Sequence, residues 1–352
     1  MFAYEAEDVS EALQFGLEHI LQEGVTESSR NGSVIVAPGP VLVEYVNPRR
    51  RVLFSPTRDA NPVFHLMESL WMLKGDWDIE FPVFFNSTYG QFSDDGKIMW
   101  DAYGHRWRQF FGHDQLNGIV EELCRTPSSR RCVLSMWNSF AQADFPHPLQ
   151  REAWNEDLGL AVEGCKAVPC NTHAYFAIRN DKLNMTVMNR SNDAIWGAFG
   201  ANAVHFSFLL EYMAARIGVP IGKYYQFTNN LHVYTDKMSV EKMKALSDEL
   251  DEVGDYPSCG PSIEEGFDED LNQFMPWARA VIRAEGDKEG PEITTNIPDM
   301  KTEFMWGVVV PVFLFWVYRK WKDEYSSGIC LDGITAPDWK KACREWAERR
   351  SK

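Results

Sequence analysis

Residues 166–176 read KAVPCNTHAYF, with Cys170 between Pro169 and Asn171. A cysteine does covalent chemistry as a thiolate, which needs nearby positive charge or a hydrogen-bonding neighbour. Taken alone, Cys170 is open to being a nucleophile, a metal ligand or a small core residue. His173, three residues along an extended segment, points to the opposite face, so a Cys-His hydrolase pair is disfavoured. Arg190 is a better companion. It lies 20 residues on, at the far end of an expected hairpin that folds back onto Cys170. A guanidinium there both lowers a thiol pKa and grips an anion. The polar run Asn189 to Asp193 precedes an apolar stretch and reads as a binding loop. His232 and Tyr234 are two apart, so on a strand they share a face and suit a hydroxyl-bearing ligand such as a sugar. Arg130 and Arg131 open an apolar strand, and adjacent strand residues point opposite ways. They do not naturally grip one anion within their own chain.

These side chains need elements to hold them. Apolar spacing predicts helices over DVSEALQFGLEHILQEG, VFHLMESLWMLKG, GIVEELCRT and AVHFSFLLEYMAARIG, with Gly24 and Gly75 as stop signals. Strands are expected in SVIVAPGPVLVEYV on both sides of its Pro-Gly-Pro turn, in RRRVLFS and in RRCVLSMWN. HAYFAIRNDKLNMTVMNRS alternates around Asn180-Asp181 and reads as a β-hairpin. GKYYQFTNNLHVYTD reads as a strand followed by a polar turn. Residues 139–165 look like an insertion loop. Residues 247–300, acidic and rich in Gly and Pro, read as loops with short helices, and DWKKACREWAERR as a charged terminal helix. Strands and helices mix without a βαβ repeat, which predicts an α+β fold with a mixed sheet and packed helices.

Composition narrows the function classes. The 352 residues carry a net charge of -16 and a pI near 5.0, a poor match to duplex phosphates. No nucleic-acid partner is expected. Seven cysteines, an odd number without any CxxC pair, argue against a disulfide framework and against a structural metal site, and point to a reducing cytoplasm. The first residues lack the basic and apolar regions of a signal peptide. FMWGVVVPVFLFWVY, residues 304–318, is shorter than the roughly 20 residues a membrane helix needs and contains Pro311, so a buried strand or helix is expected instead of a membrane anchor. No GxGxxG or Walker A loop occurs.

Seven segments, kept in one order over about residues 26–237, resemble the thymidylate synthase family. They are HLMESLWMLKGD, WDAYGHRWR, PSSRRCVLSMWN, VPCN, NRSND, GAFGAN and LHVY. The resemblance implies a homodimer formed through the sheet, with Arg130 and Arg131 donated across the interface to the partner's phosphate. That accounts for their adjacency. It also implies that Cys170 adds to C6 of a pyrimidine nucleotide. Arg190 and Ser191 bind phosphate, Arg190 also activating the thiol, and Arg30 in SRNG joins them. Asp193 contacts the base, Asn202 reads the pyrimidine edge, and His232 and Tyr234 hold the sugar 3′-hydroxyl. Glu68 is the acid/base carboxylate acting through ordered water, and Tyr103 belongs to the same network. The one-carbon donor implied is 5,10-methylenetetrahydrofolate. The catalytic core would span 1–240, with 241–352 a divergent extension of the same domain.

The chain also departs from that family. Asn171 stands where synthases usually have His after the nucleophile, and one extra residue lies between Gly197 and Asn202. CREWAERRSK lacks the usual apolar end that closes over folate. A changed water network beside the ring is tolerated more readily when water, rather than hydride, completes the reaction. Asn202 suits uracil, because an amide both donates to O4 and accepts from N3–H. The expected activity is therefore folate-dependent C5 hydroxymethylation of a pyrimidine nucleoside monophosphate, dUMP first. The alternatives are full methylation to dTMP, hydroxymethylation of CMP or dCMP, and a non-catalytic nucleotide-binding homologue.

Overall fold

The computed structural model describes residues 1–29, 31–137, 166–251, 254–284 and 290–351. Arg30 and the expected insertion at 139–165 lie outside the described residues.

Among the described residues, ten strands form two sheets. They are β1 (Phe2–Ala6), β2 (Val25–Ser29), β3 (Gly32–Val36), β4 (Val41–Tyr45), β5 (Val133–Ser135), β6 (Asn171–Arg179), β7 (Lys182–Asn189), β8 (Asn192–Asp193), β9 (Ile221–Thr228) and β10 (Leu231–Tyr234). The larger sheet runs β1-β4-β9-β7-β6-β5 and the smaller β2-β3-β10-β8. Parallel pairs (β1/β4, β7/β9, β8/β10) mix with antiparallel ones, as expected for α+β. Asn180 and Asp181 turn the β6/β7 hairpin with φ of 50° and 59°. Asn and Asp tolerate this left-handed backbone, and two such residues in succession make the type I′ turn that suits strand twist.

Register decides which face is buried. Rows such as Tyr45–Tyr224–Met185–Phe176 and Val43–Gln226–Val187–Ala174 point into the core. Side chains of the other parity, among them Val133, Tyr175, Thr186, Met188, Tyr225 and Phe227, stay partly or well exposed. Two helices buried nearly all round back the core face: Pro62–Lys74 packs on Asn202–Ile217, which lies against the sheet. The first is capped by Asn61, whose Oδ1 accepts from Phe64 N at 3.0 Å, and stopped by Gly75 at φ 85°.

Two expectations fail locally. RRRVLFS is not a strand. Arg51 pairs with Glu211 in the interior and lies 3.5 Å over the Phe208 ring, while Val52 N donates to the Tyr256 hydroxyl at 2.8 Å. Side chains have taken the bonds a neighbouring strand would have made. Nor is 247–300 limited to short helices, for Phe267–Arg283 is a 17-residue helix. Its acidic first turn and internal Pro276 read as loop composition, yet Phe267, Leu271, Phe274, Ala278 and Val281 keep the three-to-four spacing of a buried stripe. Arg279 ties this helix to Asp76 and Asp78, both at 2.7 Å. One hydrophobic cluster then extends through Phe313 and Trp316 to Trp339 and Trp346, so the C-terminal helices share the core of the sheet. Residues 304–318 form the π-turn Met305–Val309 and most of the helix Val310–Lys320, buried except for the exposed Trp306 and the half-buried Tyr318. Among the described residues, no helix is long and apolar enough to cross a membrane.

Candidate active site

The site lies where β6 begins, β7 ends and the two buried helices meet the sheet. Arg190 N donates to the Cys170 carbonyl at 2.9 Å, which brings the two ends of the hairpin together. The Arg190 guanidinium donates to the carbonyls of Pro169 (3.1 Å) and Val168 (3.2 Å), and sits 5.7 Å from the Trp137 ring centre. It therefore fixes the strand that carries Cys170 and supplies positive charge beside the sulfur. Burial pushes the Cys170 thiol up, Arg190 opposes this, and Asp101 and Asp193 reinforce it. In this state the cysteine is held protonated.

The Tyr103 hydroxyl accepts from Cys170 N at 3.2 Å and from Asn171 N at 3.4 Å. Asn171 is fully buried. Its amide donates to the carbonyls of Met188 (2.8 Å) and His173 (3.2 Å), across a bulge that shifts the β6/β7 register. Thr172 Oγ1 donates to the same Met188 carbonyl at 3.1 Å. Thus Asn171 is built into the backbone under Cys170.

Behind this strand stands a chain of ionisable groups. Glu68, on the Pro62–Lys74 helix and only 6% exposed, lies 3.1 Å from His205 Nε2 and hydrogen-bonds to the Tyr89 hydroxyl. Burial, Arg58 and His205 hold His65 well below the usual imidazole range. Arg58 is itself buried, its Nε donating to the Ile195 carbonyl at 2.8 Å. Burial lowers it to about 10, against the pull of Asp193 and Asp59. Asp59 accepts from both Arg349 (3.0 Å) and Arg350 (2.6 Å), so the C-terminal helix steadies the turn that delivers Arg58.

On the other flank, Asp193 Oδ1 accepts from Ile195 N (2.8 Å) and Trp196 N (2.7 Å), capping the π-type turn Ala194–Ala201. Its Oδ2 is buried and has no protein partner. Burial raises the Asp193 carboxyl, against its two N–H bonds, His232 and Arg58. The extra residue before Asn202 falls within this wide turn, in which Gly200 leaves helical geometry. A Cβ at Gly200 would stand 2.9 Å from the Arg58 guanidinium. Asn202 Nδ2 donates to Asn192 Oδ1 at 3.0 Å. His232 is the direct register partner of Asp193 across β8/β10, its ring 4.9 Å from that of Tyr234 and its Nδ1 3.1 Å from Asn230 Oδ1. Ser191 Oγ donates to the same Asn230 Oδ1 at 3.4 Å.

The structure thus gathers Cys170, Asn171, Arg190 and Tyr103 in one group, joined electrostatically to Glu68 through Asp101 and Tyr89. It gathers Asp193, Ser191, Asn202, His232 and Tyr234 in a second group beside it. Arg130 and Arg131 are exposed and stand elsewhere, on the loop between the Gln115–Arg125 helix and β5, around an open hollow with Glu122 and Arg125. Sequence reasoning missed Arg58, Asp101 and His205. The first sits next to a residue held by an opposite charge far along the chain. The second stands two places before Tyr103, and the third one helical turn after Asn202. Among the described residues, no three His, Cys, Asp or Glu are placed to hold a metal ion.

A cysteine at the head of a bulged strand, an arginine clamp beside it and a group of polar side chains on a mixed sheet are what an α+β enzyme working through a thiol requires. The profile of the thymidylate synthase family matches residues 14–253, and the chain belongs to that family. It is 38% identical to the deoxyuridylate hydroxymethyltransferase of Pseudomonas phage M6 over 97% of this chain and 93% of that one. It is 36% identical to the protein of the same name from Bacillus phage SP01, over 74% of this chain and 68% of the other. The crystal structure of thymidylate synthase from T4 phage shares its fold, with a TM-score of 0.51 at 20% identity over 66% of this chain and 79% of that one.

Proposed function

We propose that this protein converts dUMP to its 5-hydroxymethyl derivative through a covalent bond between Cys170 and C6 of the ring. The observation that carries this reading is the Cys170–Arg190 pairing, set beside the Glu68–His205 pair in a chain 38% identical, over nearly its full length, to a phage deoxyuridylate hydroxymethyltransferase. C5 of uracil is a weak nucleophile. Thiolate addition at C6 turns C5 into an enolate-like carbon able to attack a one-carbon donor. Arg190 and Ser191 receive the phosphate, whose charge turns Arg190 from backbone clamp to anion ligand. The unpartnered Asp193 Oδ2 and the Asn202 amide read the base, and His232 with Tyr234 takes the sugar hydroxyl. Glu68, held against His205, moves the ring protons, while Tyr103 and Asn171 set the angle of the Cys170 strand.

The donor proposed is 5,10-methylenetetrahydrofolate, which supplies the carbon at formaldehyde oxidation level. A flat pterin fits what the site offers. Trp196 is 41% exposed beside Asp193, and Trp137 presents its ring beside Arg190. The exposed apolar sheet face around Val133 and Tyr175 supports a homodimer, and the exposed Arg131, two residues before Val133, is the proposed ligand of a partner's phosphate. Mass spectrometry of the nucleotide after incubation with dUMP and methylenetetrahydrofolate tests the reading. Hydroxymethyl-dUMP with tetrahydrofolate is expected; dTMP with dihydrofolate would overturn it. Covalent capture of 5-fluoro-dUMP on Cys170 tests the adduct separately.

A further inference from the structure

We propose that Asn192 sets the pyrimidine specificity of the site by holding the Asn202 amide in the orientation that reads uracil. The inference rests on the reading proposed above, in which Asn202 faces the base. A primary amide is nearly symmetric in shape but not in hydrogen bonding. With its oxygen toward N3 and its nitrogen toward position 4, it accepts from N3–H and donates to O4 of uracil. Turned by half a revolution, it donates to N3 and accepts from the N4 amino group of cytosine. Both orientations fill the same space, so the shape of the site does not choose between them. A second polar group has to fix which end of the amide is which.

Asn192 is placed to do so. Asn202 Nδ2 donates to Asn192 Oδ1 at 3.0 Å, and both side chains are buried. An amide nitrogen carries two protons, so the one not given to Asn192 is left for O4. Turning Asn202 alone sets its oxygen against Asn192 Oδ1, and two buried acceptors facing each other are costly. Asn192 is anchored in turn. Its backbone N donates to the Asn230 carbonyl at 2.9 Å, and it opens β8, whose next residue, Asp193, caps the Ala194–Ala201 turn through Ile195 N and Trp196 N. Asn202 begins the helix at the other end of that turn. The amide pair therefore ties the two ends of the wide turn together, across the segment that carries the extra residue. Gly197, inside the turn, makes room for the pair, because a Cβ there would collide with Asn192 Oδ1. Among the described residues Asn192 Nδ2 has no hydrogen-bond partner, although it is buried. It is a second donor beside Asn202, and a donor there favours a carbonyl over an amino group at position 4 of the ring. The base thus meets a fixed pair of amides instead of one free to turn.

The test is calorimetric binding of dUMP and of dCMP to the full-length protein and to Asn192→Leu and Asn192→Asp. The two dissociation constants of each protein come from one preparation, so any unfolded fraction cancels in their ratio. Leucine keeps the volume and removes the acceptor. Aspartate, ionised at pH 8, keeps the acceptor and removes the donor. The parent should bind dUMP the more tightly. In Asn192→Leu the preference for dUMP over dCMP should fall about tenfold, the scale of one buried hydrogen bond. In Asn192→Asp at pH 8 it should stay within about threefold of the parent's. Equal weakening of both nucleotides in Asn192→Leu, with the ratio kept, assigns Asn192 to building the turn and overturns the proposal. Loss of the preference in both variants shows that the acceptor is not what holds Asn202 and overturns it equally. A parent that binds the two nucleotides alike has both amides turning together, which overturns it as well. A parent that binds neither, or dCMP the better, would instead bring down the reading on which the proposal rests.

Discussion

The backbone N–H of Arg190 meets the Cys170 carbonyl at 2.9 Å, while the guanidinium of the same residue holds the two carbonyls just upstream of that cysteine. One arginine thus sets both the position and the electrostatics of the sulfur. Arg190→Ala removes the charge that lowers the thiol pKa, so the burial effect goes unopposed. Alkylation of Cys170 by iodoacetamide at pH 7.5, followed on its own peptide, should slow by about tenfold, the equivalent of one pKa unit. Arg190→Lys keeps the charge but not the fork, so its alkylation rate should fall between the two. An unchanged rate in Arg190→Ala would remove Arg190 as the activating charge.

Asn171 is the residue by which this chain departs most visibly from synthases, and its burial says how it acts. A histidine in its place must fit a larger ring into a fully covered position and leaves the Met188 carbonyl without its amide donor. Asn171→His should therefore destabilise the protein by about 1–3 kcal/mol, from overpacking and a lost buried hydrogen bond. The ratio of hydroxymethyl to methyl product should not change. Thermal unfolding and product mass spectrometry check the two halves; a shift of product toward dTMP would restore Asn171 as a direct determinant of chemistry.

Arg130 and Arg131 are exposed and lie outside the Cys170 group, as a residue serving a partner's site would. Cys170→Ser and Arg131→Ala should each be nearly inactive as pure proteins. Mixed one to one through unfolding and refolding, they should regain about a quarter of parental activity, because half the dimers then hold one intact site of two. No recovery, in a mixture shown to exchange subunits, would place Arg131 in its own chain's site or in none.

Much of this arrangement is legible in the sequence because it rests on local signals. The Asn180-Asp181 turn fixes the hairpin length, and that length brings Arg190 back to Cys170. The shared parity of His232 and Tyr234 likewise survives in β10. What escapes depends on contacts between distant segments. Arg51 reads as strand, but its pairing with Glu211, 160 residues away, has no local signature. Arg58 reads as a loop charge until Asp59 meets Arg349 and Arg350. The Phe267–Arg283 helix is hidden by acidic composition that its buried stripe outweighs.

The C-terminal helices can be probed through Asp338, which is 1% exposed at the start of the Pro337–Arg349 helix and accepts from Trp339 N at 2.8 Å. Burial raises its carboxyl from 3.8 to about 6, with Trp339 N, Arg51 and Arg49 pulling the other way. Well below pH 3.8 the group is protonated folded and unfolded alike and costs nothing. As pH rises from about 4 to 6 the unfolded chain ionises first, so the folded state holds the extra proton and loses stability. Above 6 the penalty is complete, at most about 3 kcal/mol for a carboxyl raised this far. Asp338→Asn keeps an oxygen for Trp339 N and removes the charge. It should leave the melting temperature nearly unchanged at pH 3 and raise it at pH 8, the gap opening between those values. A variant less stable than the parent at pH 8 would show that the ionised carboxylate, through Arg49 and Arg51, holds the helix in place.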